Sequence, residues 1–119
     1  MKRIYGIRGA TTVAANTKEN IIRETQNLLQ TILQKNTIHG DDLVSIIFTT
    51  TPDLNAEFPA KAARLMGLGD IPLLGCVESA VPHGLPFCIR LLLYVYLEDG
   101  CAVKHIYLNE AGSLRPDLL

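Results

Sequence analysis

Residues 87–97 read Phe-Cys-Ile-Arg-Leu-Leu-Leu-Tyr-Val-Tyr-Leu, an almost unbroken apolar run that contains Arg90. The length of this run and its β-branched and aromatic content favour a strand buried on both faces over a helix. Because side chains alternate along a strand, Arg90 shares one face with Leu92 and Tyr94, while Leu91 lies on the other. We therefore expect Arg90 to point into the protein.

A buried arginine requires an anionic partner, because its guanidinium keeps its proton and is costly to bury unpaired. One interpretation is structural: Arg90 forms an ion pair with a carboxylate such as Glu78, or reaches the sheet edge and is hydrated. The other interpretation is a bound anionic ligand, with Glu78 in a separate role. This strand alone leaves both open.

The chain has 119 residues, so we predict a single domain over residues 1–119. Its formal net charge of -1 gives no overall field for nucleic acid or an anionic membrane. The apolar segment after Lys2 and Arg3 is too short for a signal peptide, and no run is long enough to span a membrane. We expect a cytoplasmic protein that binds neither nucleic acid nor a membrane.

The cysteines do not suggest a disulfide framework or a metal site. Cys76, Cys88 and Cys101 are odd in number and lack Cys-x-x-Cys spacing, and the three histidines are scattered. We expect reduced thiols that serve as packing.

The first half of the chain predicts a strand, a helix and a second strand. Residues 2–8 form the first strand, which ends at Gly9, where glycine permits a sharp turn or the close approach of another group. Thr17 is a plausible N-cap for an amphipathic helix that runs toward Asn36. Residues 43–51 predict a second buried strand.

A short second helix should begin at Pro59, which suits a first helical turn, and end at Gly67 and Gly69. Lys61 and Arg64 are three residues apart and share a face near its N-terminus. Such a pair is ordinarily just solvated. The partial positive charge of the helix N-terminus also makes this region a candidate anion site.

Three more strands follow in the second half. Residues 71–77 predict a third strand and residues 87–97 a fourth. A turn at residues 98–100 then predicts that residues 101–108 return antiparallel. We expect an extended tail at residues 113–117, because a residue before proline avoids the helical region.

The predicted elements follow the order βαβαββ, and the returning strand at residues 101–108 is the fifth strand. This order predicts an α+β fold, in which a five-stranded mixed sheet carries two helices. Two helices leave a face or edges of such a sheet uncovered, and the mean hydropathy is +0.20. Burial by self-association is the economical solution.

Several motifs then occur together, in the following order: Gly-Ile-Arg-Gly-Ala-Thr-Thr around Arg8, Phe-Pro-Ala-Lys-Ala-Ala-Arg at residues 58–64, Glu78, Cys-Ile-Arg ending at Arg90, and His-Ile-Tyr ending at Tyr107 with Leu-Arg-Pro-Asp-Leu after it. In order and spacing, nearly end to end, the chain resembles the small monofunctional chorismate mutases of the AroH class. This resemblance implies a homotrimer that forms a pseudo-α/β barrel, with active sites between subunits. It also implies a Claisen rearrangement of chorismate to prephenate in aromatic amino acid biosynthesis, without metal or cofactor.

The resemblance further implies roles for the matched positions. Arg90 would hold a substrate carboxylate and the ether oxygen, and Arg8 and Tyr107 would bind the other carboxylate region. Glu78 would accept a hydrogen bond from the ring hydroxyl. The neighbouring subunit and the tail would supply the other contacts: Phe58, Ala60, Lys61, Arg64, Leu73 and Leu74 from the neighbour, and Leu114 and Arg115 from the tail.

One position departs from the family pattern. The family usually has a cysteine lining the site three residues before the glutamate, whereas this chain has Gly75 there and Cys76 one place later. Either the strand is shifted locally or Gly75 replaces that contact. Residues 67–71 also form a stretch that is one residue short.

The implied reaction suits these residue types. Negative charge grows on the ether oxygen and no proton moves, so a fixed cation and a shaped cavity help and a general base is unnecessary. Two alternatives stay open. One is a trimeric imine or enamine hydrolase of similar architecture, and the other is a non-catalytic carboxylate-binding module.

Overall fold

The computed structural model describes residues 1–114, which form two α-helices and five strands. The elements in chain order are β1 (Lys2–Thr12), α1 (Lys18–Lys35), β2 (Leu43–Thr50), α2 (Pro59–Leu65), β3 (Leu73–Val77), β4 (Cys88–Glu98) and β5 (Ile106–Tyr107), with short 3₁₀ helices at Gly40–Asp42 and Asn109–Ser113. The order is βαβαβββ. The predicted α+β class, with two helices and a five-stranded mixed sheet, is confirmed.

The strands lie in the order β3-β2-β4-β1-β5. β4 is antiparallel to both β1 and β2, and β2 is parallel to β3. The prediction that residues 101–108 return antiparallel along β4 is wrong, because β1 and β2 already occupy both edges of that strand. The last strand instead pairs with β1, in parallel, and places Ile106 and Tyr107 opposite Gly9 and Ala10.

Both predicted helices begin where local sequence signals place them. The Thr17 side chain caps α1 by accepting a hydrogen bond of 3.2 Å from the Asn20 amide. Pro59 occupies the first turn of α2, where its missing N–H costs nothing. The predicted stop of α2 is also confirmed, since Gly67 adopts a left-handed φ of 85° just past its end.

The helices pack on one face of the sheet only. One apolar cluster joins Leu28 and Ile32 of α1, Ala63 of α2, and Leu91 and Leu93 of β4. The alternate residues of β4, from Arg90 to Tyr96, are partly or largely exposed on the opposite face, which we call the open face. The expectation that β4 is buried on both faces is therefore wrong for the single chain, because two helices cover one face.

β1 continues beyond its predicted end, so residues 9–12 extend the strand instead of forming a turn. A Cβ added at Gly9 would lie 2.7 Å from Ile32 Cδ1 and 3.2 Å from Leu28 Cδ1. Glycine serves here for close approach of α1, the second of the two predicted possibilities. As a result Arg8 lies within the strand, not at its end.

The prediction of an extended tail is wrong for Ser113 and Leu114, the part of that tail that the structure describes. Ser113 belongs to the 3₁₀ helix at Asn109–Ser113, and Leu114 has helical φ and ψ of -72° and -38°. Arg115 lies outside the described residues, as does the rest of the predicted tail. No helix within residues 1–114 is long and apolar enough to cross a membrane.

Candidate active site

The strand register sets five residues in a row across the sheet. Arg90 lies opposite Ala10 on one side and Thr49 on the other, and these in turn pair with Tyr107 and Cys76. Residues paired across neighbouring strands point to the same face. Since Arg90 is on the open face, the whole row lies there.

The four residues to which the family resemblance assigned catalysis lie in this row or beside it. Arg8 precedes Ala10 by two positions, which keeps it on the same face of β1. Arg8, Arg90, Tyr107 and Leu114 line one cavity of about 200 Å³. Glu78 and Arg90 line an adjoining cleft of about 650 Å³. Arg90 thus lies between two depressions and borders both.

Arg90 and Glu78 form an ion pair, with Nε 3.1 Å from Oε2. The Thr49 hydroxyl donates a hydrogen bond of 2.6 Å to the same oxygen, and the Glu78 amide donates to the Thr50 carbonyl at 2.8 Å. The Glu78 side chain is 16% exposed and that of Arg90 is 45% exposed. Glu78 is therefore fixed in place, whereas the Arg90 guanidinium is open to solvent in the single chain.

The predicted ion pair is thus present, but burial does not force it. A guanidinium carries five N–H donors, and the pair with Glu78 engages Nε. The two terminal nitrogens form a fork that suits a carboxylate or another anionic oxygen. The ion pair and the anion-binding interpretation of Arg90 are therefore compatible.

Arg8 is held differently. Its backbone N–H donates a hydrogen bond of 2.9 Å to His105 Nδ1, which fixes this part of β1 against the segment before β5. Its side-chain Nε is buried and has no hydrogen-bond partner within residues 1–114. A buried donor without a hydrogen-bond partner costs free energy, and this donor belongs to a cation that lines a cavity. That combination fits an anionic ligand.

The cleft beside Glu78 includes the loop that leads into β4. The Asp53 carboxylate accepts a hydrogen bond of 3.0 Å from the Phe87 amide, and the Thr51 hydroxyl accepts one of 3.0 Å from the Cys88 amide. Phe87 has a left-handed φ of 49°. These bonds hold the chain at the start of β4, two residues before Arg90.

The predicted contacts of α2 lie apart from Arg90. Phe58 is 72% exposed and lines a pocket of about 320 Å³ with Phe48 and Gly75, on the helix side of the sheet. Ala60 packs in the apolar cluster beneath the helices. Among residues 1–114, no α2 residue lines either depression that Arg90 borders. A single chain therefore does not unite these residues with the two arginines.

The cationic side chains of α2 have separate surroundings. Lys61 Nζ is 3.6 Å from Glu57 Oε2, and Arg64 is exposed. The backbone N–H of Phe58 donates to the Glu57 carboxylate at 2.9 Å. This hydrogen bond, with Lys61 and Lys18 nearby, lowers the pKa of Glu57. Part of the predicted cationic patch is therefore neutralised within its own chain.

The register of β3 bears on the position where the sequence departs from the family pattern. Gly75 pairs with Phe48, on the helix side, whereas Cys76 pairs with Thr49, on the open face. By alternation Leu74 shares the open face and Leu73 the helix side. Of the two residues left open by the sequence, Cys76 is the one on the Arg90 face.

A family model described as "Chorismate mutase type I" matches residues 4–118. The chain belongs to that family. The curated "Chorismate mutase AroH" of Bacillus subtilis is 42% identical over 117 residues, covering 97% of this chain and 92% of its own, and that of Thermus thermophilus is 45% identical over 117 residues, covering 97% and 96%.

A solved structure is similarly close. The chorismate mutase from Clostridium thermocellum superposes with a TM-score of 0.89 and 47% identity, covering 92% of this chain and 98% of its own. This likeness extends the relationship from the sequence to the fold.

Two residues beside the predicted type I chorismate mutase site were missed. The Thr49 hydroxyl donates a hydrogen bond to the Glu78 carboxylate, and His105 accepts one from the backbone N–H of Arg8. The run of three threonines at residues 49–51, where β2 ends, was a possible signal for Thr49, because each hydroxyl can donate a hydrogen bond to a nearby side chain. No local pattern pointed to His105, since its role depends on the pairing of β5 with β1.

The cysteines differ from one another. Cys88 is fully buried, and burial raises the pKa of its thiol to about 11. It is therefore protonated at neutral pH and packs as a small apolar group. Cys76 and Cys101 are exposed in the single chain, so the predicted packing role holds for Cys88 alone.

Proposed function

We propose that this chain is a chorismate mutase, an isomerase that rearranges chorismate to prephenate by an intramolecular Claisen reaction. The observation that carries the proposal is the pairing of Arg8 and Arg90 in one cavity with Tyr107. Chorismate carries two carboxylates, so two convergent cations match its charge. Membership of the type I family, at 42% and 45% identity to curated chorismate mutases, supports this function.

We assign the roles as follows. The terminal nitrogens of Arg90 bind one substrate carboxylate and the ether oxygen, where negative charge grows in the transition state. Arg8 and Tyr107 bind the other carboxylate region. Glu78, oriented by Thr49, accepts a hydrogen bond from the ring hydroxyl. The cavity holds the substrate folded so that the two ends of the rearranging system meet.

No step in this mechanism requires a proton to move or a covalent intermediate to form. The C–O bond of the ether breaks as the new C–C bond forms, within one molecule. The assigned residues therefore act through fixed charge and position, and neither a cofactor nor a metal takes part. Catalysis of this kind depends on how rigidly the Arg90 fork is held.

We further propose a homotrimer in which the sheets form a pseudo-α/β barrel, with an active site at each subunit interface. The exposed apolar residues Ile4, Tyr96 and Leu74 support burial of the open face by another copy. Such burial would cover the second face of β4. It would also place α2 of one chain beside Arg90 of the next.

In this assembly the neighbouring chain supplies the contacts that one chain lacks. Phe58, Lys61 and Arg64 approach the substrate through their side chains. Ala60 is buried in its own core, so its contribution would come through the backbone. The neighbour's β3 adds further contacts through Leu73 and Leu74, and β3 also lines the site through Gly75 or Cys76.

The tail completes the proposed site. Leu114 already lines the cavity of the two arginines, and we propose that Arg115 closes over the substrate from the next position. We also propose that residues 1–119 of each chain form a single domain. The cytoplasm stays the predicted location.

One assay separates this function from its alternatives. The purified chain is mixed with chorismate, its ultraviolet absorbance is followed, and the product is converted by acid to phenylpyruvate. A chorismate mutase consumes chorismate and yields phenylpyruvate after acid, whereas a binding module leaves chorismate intact. An imine or enamine hydrolase instead releases ammonia from its own substrates.

A matched pair of variants makes the assay specific to the site. Arg90→Ala should abolish most turnover, while Arg3→Ala should leave it unchanged. Arg3 is also a partly exposed arginine on a strand and pairs with Asp99 at 3.4 Å, but it lies far along β1 from the cavity. Equal loss in both variants would contradict the assignment of Arg90.

A further inference from the structure

The Asn109 side chain joins the 3₁₀ helix that leads into the tail, Asn109–Ser113, to two other elements. Its Nδ2 lies 3.1 Å from Thr11 Oγ1, 3.0 Å from the Thr12 carbonyl oxygen and 3.2 Å from Glu24 Oε1. Thr11 and Thr12 end β1, and Glu24 lies on α1. One side chain therefore attaches this segment to the sheet and to a helix.

The chemistry of these contacts requires a donor. A carbonyl and a carboxylate only accept hydrogen bonds, so the amino end of the Asn109 amide must face them. The backbone of Asn109 is also unusual, with a left-handed φ of 54°. Asn and Asp tolerate that conformation better than most residues, but an aspartate would turn oxygen toward oxygen.

Neighbouring backbone bonds hold the same segment. The Leu108 amide donates to the Ala10 carbonyl at 2.9 Å, and the Glu110 amide donates to Thr12 Oγ1 at 3.1 Å. Ala111 is fully buried. Residues 108–111 are thus fixed along the end of β1, between two residues that line the arginine cavity.

Those two residues are Tyr107, two positions before Asn109, and Leu114, five positions after it. Both ends of the segment therefore reach the cavity of Arg8 and Arg90. A shift in the position of Asn109 should therefore also shift Leu114, where the tail meets the cavity.

We propose that Asn109 is a positioning residue that sets where the tail begins at the mouth of the cavity, so that Leu114 covers bound substrate with little loss of conformational freedom. The inference rests on the proposed function. Covering the substrate holds the ground state and the transition state alike. Loss of the anchor should therefore raise KM and leave kcat nearly unchanged.

Two variants separate the side chain from the backbone. Asn109→Gly accepts the left-handed φ and loses the side-chain hydrogen bonds, so we expect KM for chorismate to rise about threefold to fivefold. Asn109→Asp keeps the shape but sets a carboxylate against Glu24 and a carbonyl, so we expect a rise of about tenfold or more. In both, kcat should stay within about twofold of the original chain.

A matched control is Asn20, which lies on α1 one turn before Glu24. Asn20 donates from Nδ2 to Thr17 Oγ1 at 2.8 Å and accepts from Arg23, at the surface and away from the tail. Asn20→Ala should leave KM unchanged even if it lowers the melting temperature as much as Asn109→Gly does. Glu24→Gln keeps the Oε1 acceptor and should also leave KM unchanged.

A double-mutant cycle tests the route through the tail. Leu114→Ala should raise KM by itself, and adding Asn109→Asp should raise it by less than the product of the two single effects. If Asn109→Asp does not fold, Glu24→Ala removes one acceptor and should raise KM about twofold to threefold.

The inference is overturned if KM is unchanged in the Asn109 variants, if kcat falls while KM holds, or if the cycle is fully multiplicative. A lower melting temperature with unchanged KM would make Asn109 merely structural. Failure of the original chain to convert chorismate would instead contradict the proposed function, and is seen before any variant is made.

Discussion

The two faces of the sheet differ in how complete they are. On the helix side, Leu91, Leu93 and Val95 of β4 are buried under α1 and α2 of the same chain. On the open face, Arg90 is 45% exposed, and Tyr96 is exposed farther along the same strand. One strand therefore serves the fold through its odd-numbered residues and the proposed chemistry through the even-numbered ones.

This division implies that substitutions on the two faces have different consequences. Changes on the helix side should lower stability and spare the chemistry of each folded site. Changes on the open face should do the reverse, because a half-exposed ion pair contributes little to stability.

The largest effect is expected from Arg90→Lys. Lysine keeps the charge but cannot present two donors in a fixed fork. By analogy with loss of one oxyanion-hole donor, kcat should fall about 100-fold to 1000-fold, or about 3 to 4 kcal/mol. The melting temperature should change little. Unchanged kcat per folded site with a lower melting temperature would make Arg90 a structural residue and erase the contrast between the faces.

Leu93→Ala is the matching change on the helix side. Leu93 is fully buried in the apolar cluster, so truncation leaves a cavity that should cost about 3 kcal/mol of unfolding free energy. The unfolding free energy is measured by denaturant titration at one fixed chain concentration. Well below the melting temperature, kcat per folded site should match the original chain, and a large fall in kcat would show that the faces are not separable.

Mixing two inactive variants tests whether the open face is completed by another copy. Phe58→Asp and Arg90→Ala should each be nearly inactive. After dissociation and reassembly in equal amounts, about one interface in four should combine an intact Phe58 with an intact Arg90, giving about a quarter of the original activity. Activity that stays at the level of the separate variants, or full activity at single-chain mass, would contradict an interface site.

The smallest effect is expected from pH. No group in the proposed mechanism transfers a proton, and a guanidinium does not titrate near neutrality. We expect kcat to vary by no more than about twofold between about pH 6 and pH 9. A bell-shaped kcat profile that persists when product release is controlled for by solvent viscosity would require acid-base chemistry on the open face.

The helix side was predictable because its signals are local. The Thr17 cap, Pro59 in a first turn, Gly67 past a helix end and the alternation of β4 each depend on residues close in sequence. Steric and hydrogen-bonding rules act on these short segments regardless of the rest of the fold.

The errors lie where partners are distant in sequence or where a surface is left uncovered in the single chain. Nothing near residues 101–108 shows that β1 and β2 already fill both edges of β4. Apolar side chains such as Leu92 and Tyr94 look the same whether their own helices or another molecule cover them. The grouping of Arg8, Arg90, Glu78 and Tyr107 followed from family motifs, whereas the supports from Thr49, His105 and Asn109 required the three-dimensional register.

The placing of β1 between β4 and β5 also has a kinetic consequence. β1 emerges during synthesis well before both of its neighbours in the sheet, because β4 and β5 lie in the last third of these 119 residues. The central pairing, such as Ala10 with Arg90, therefore needs a long loop to close, which slows folding. We expect the amides of β1 to gain protection from hydrogen exchange late in refolding, after those of α1. Early protection of β1 would show that it pairs first with something other than its native neighbours.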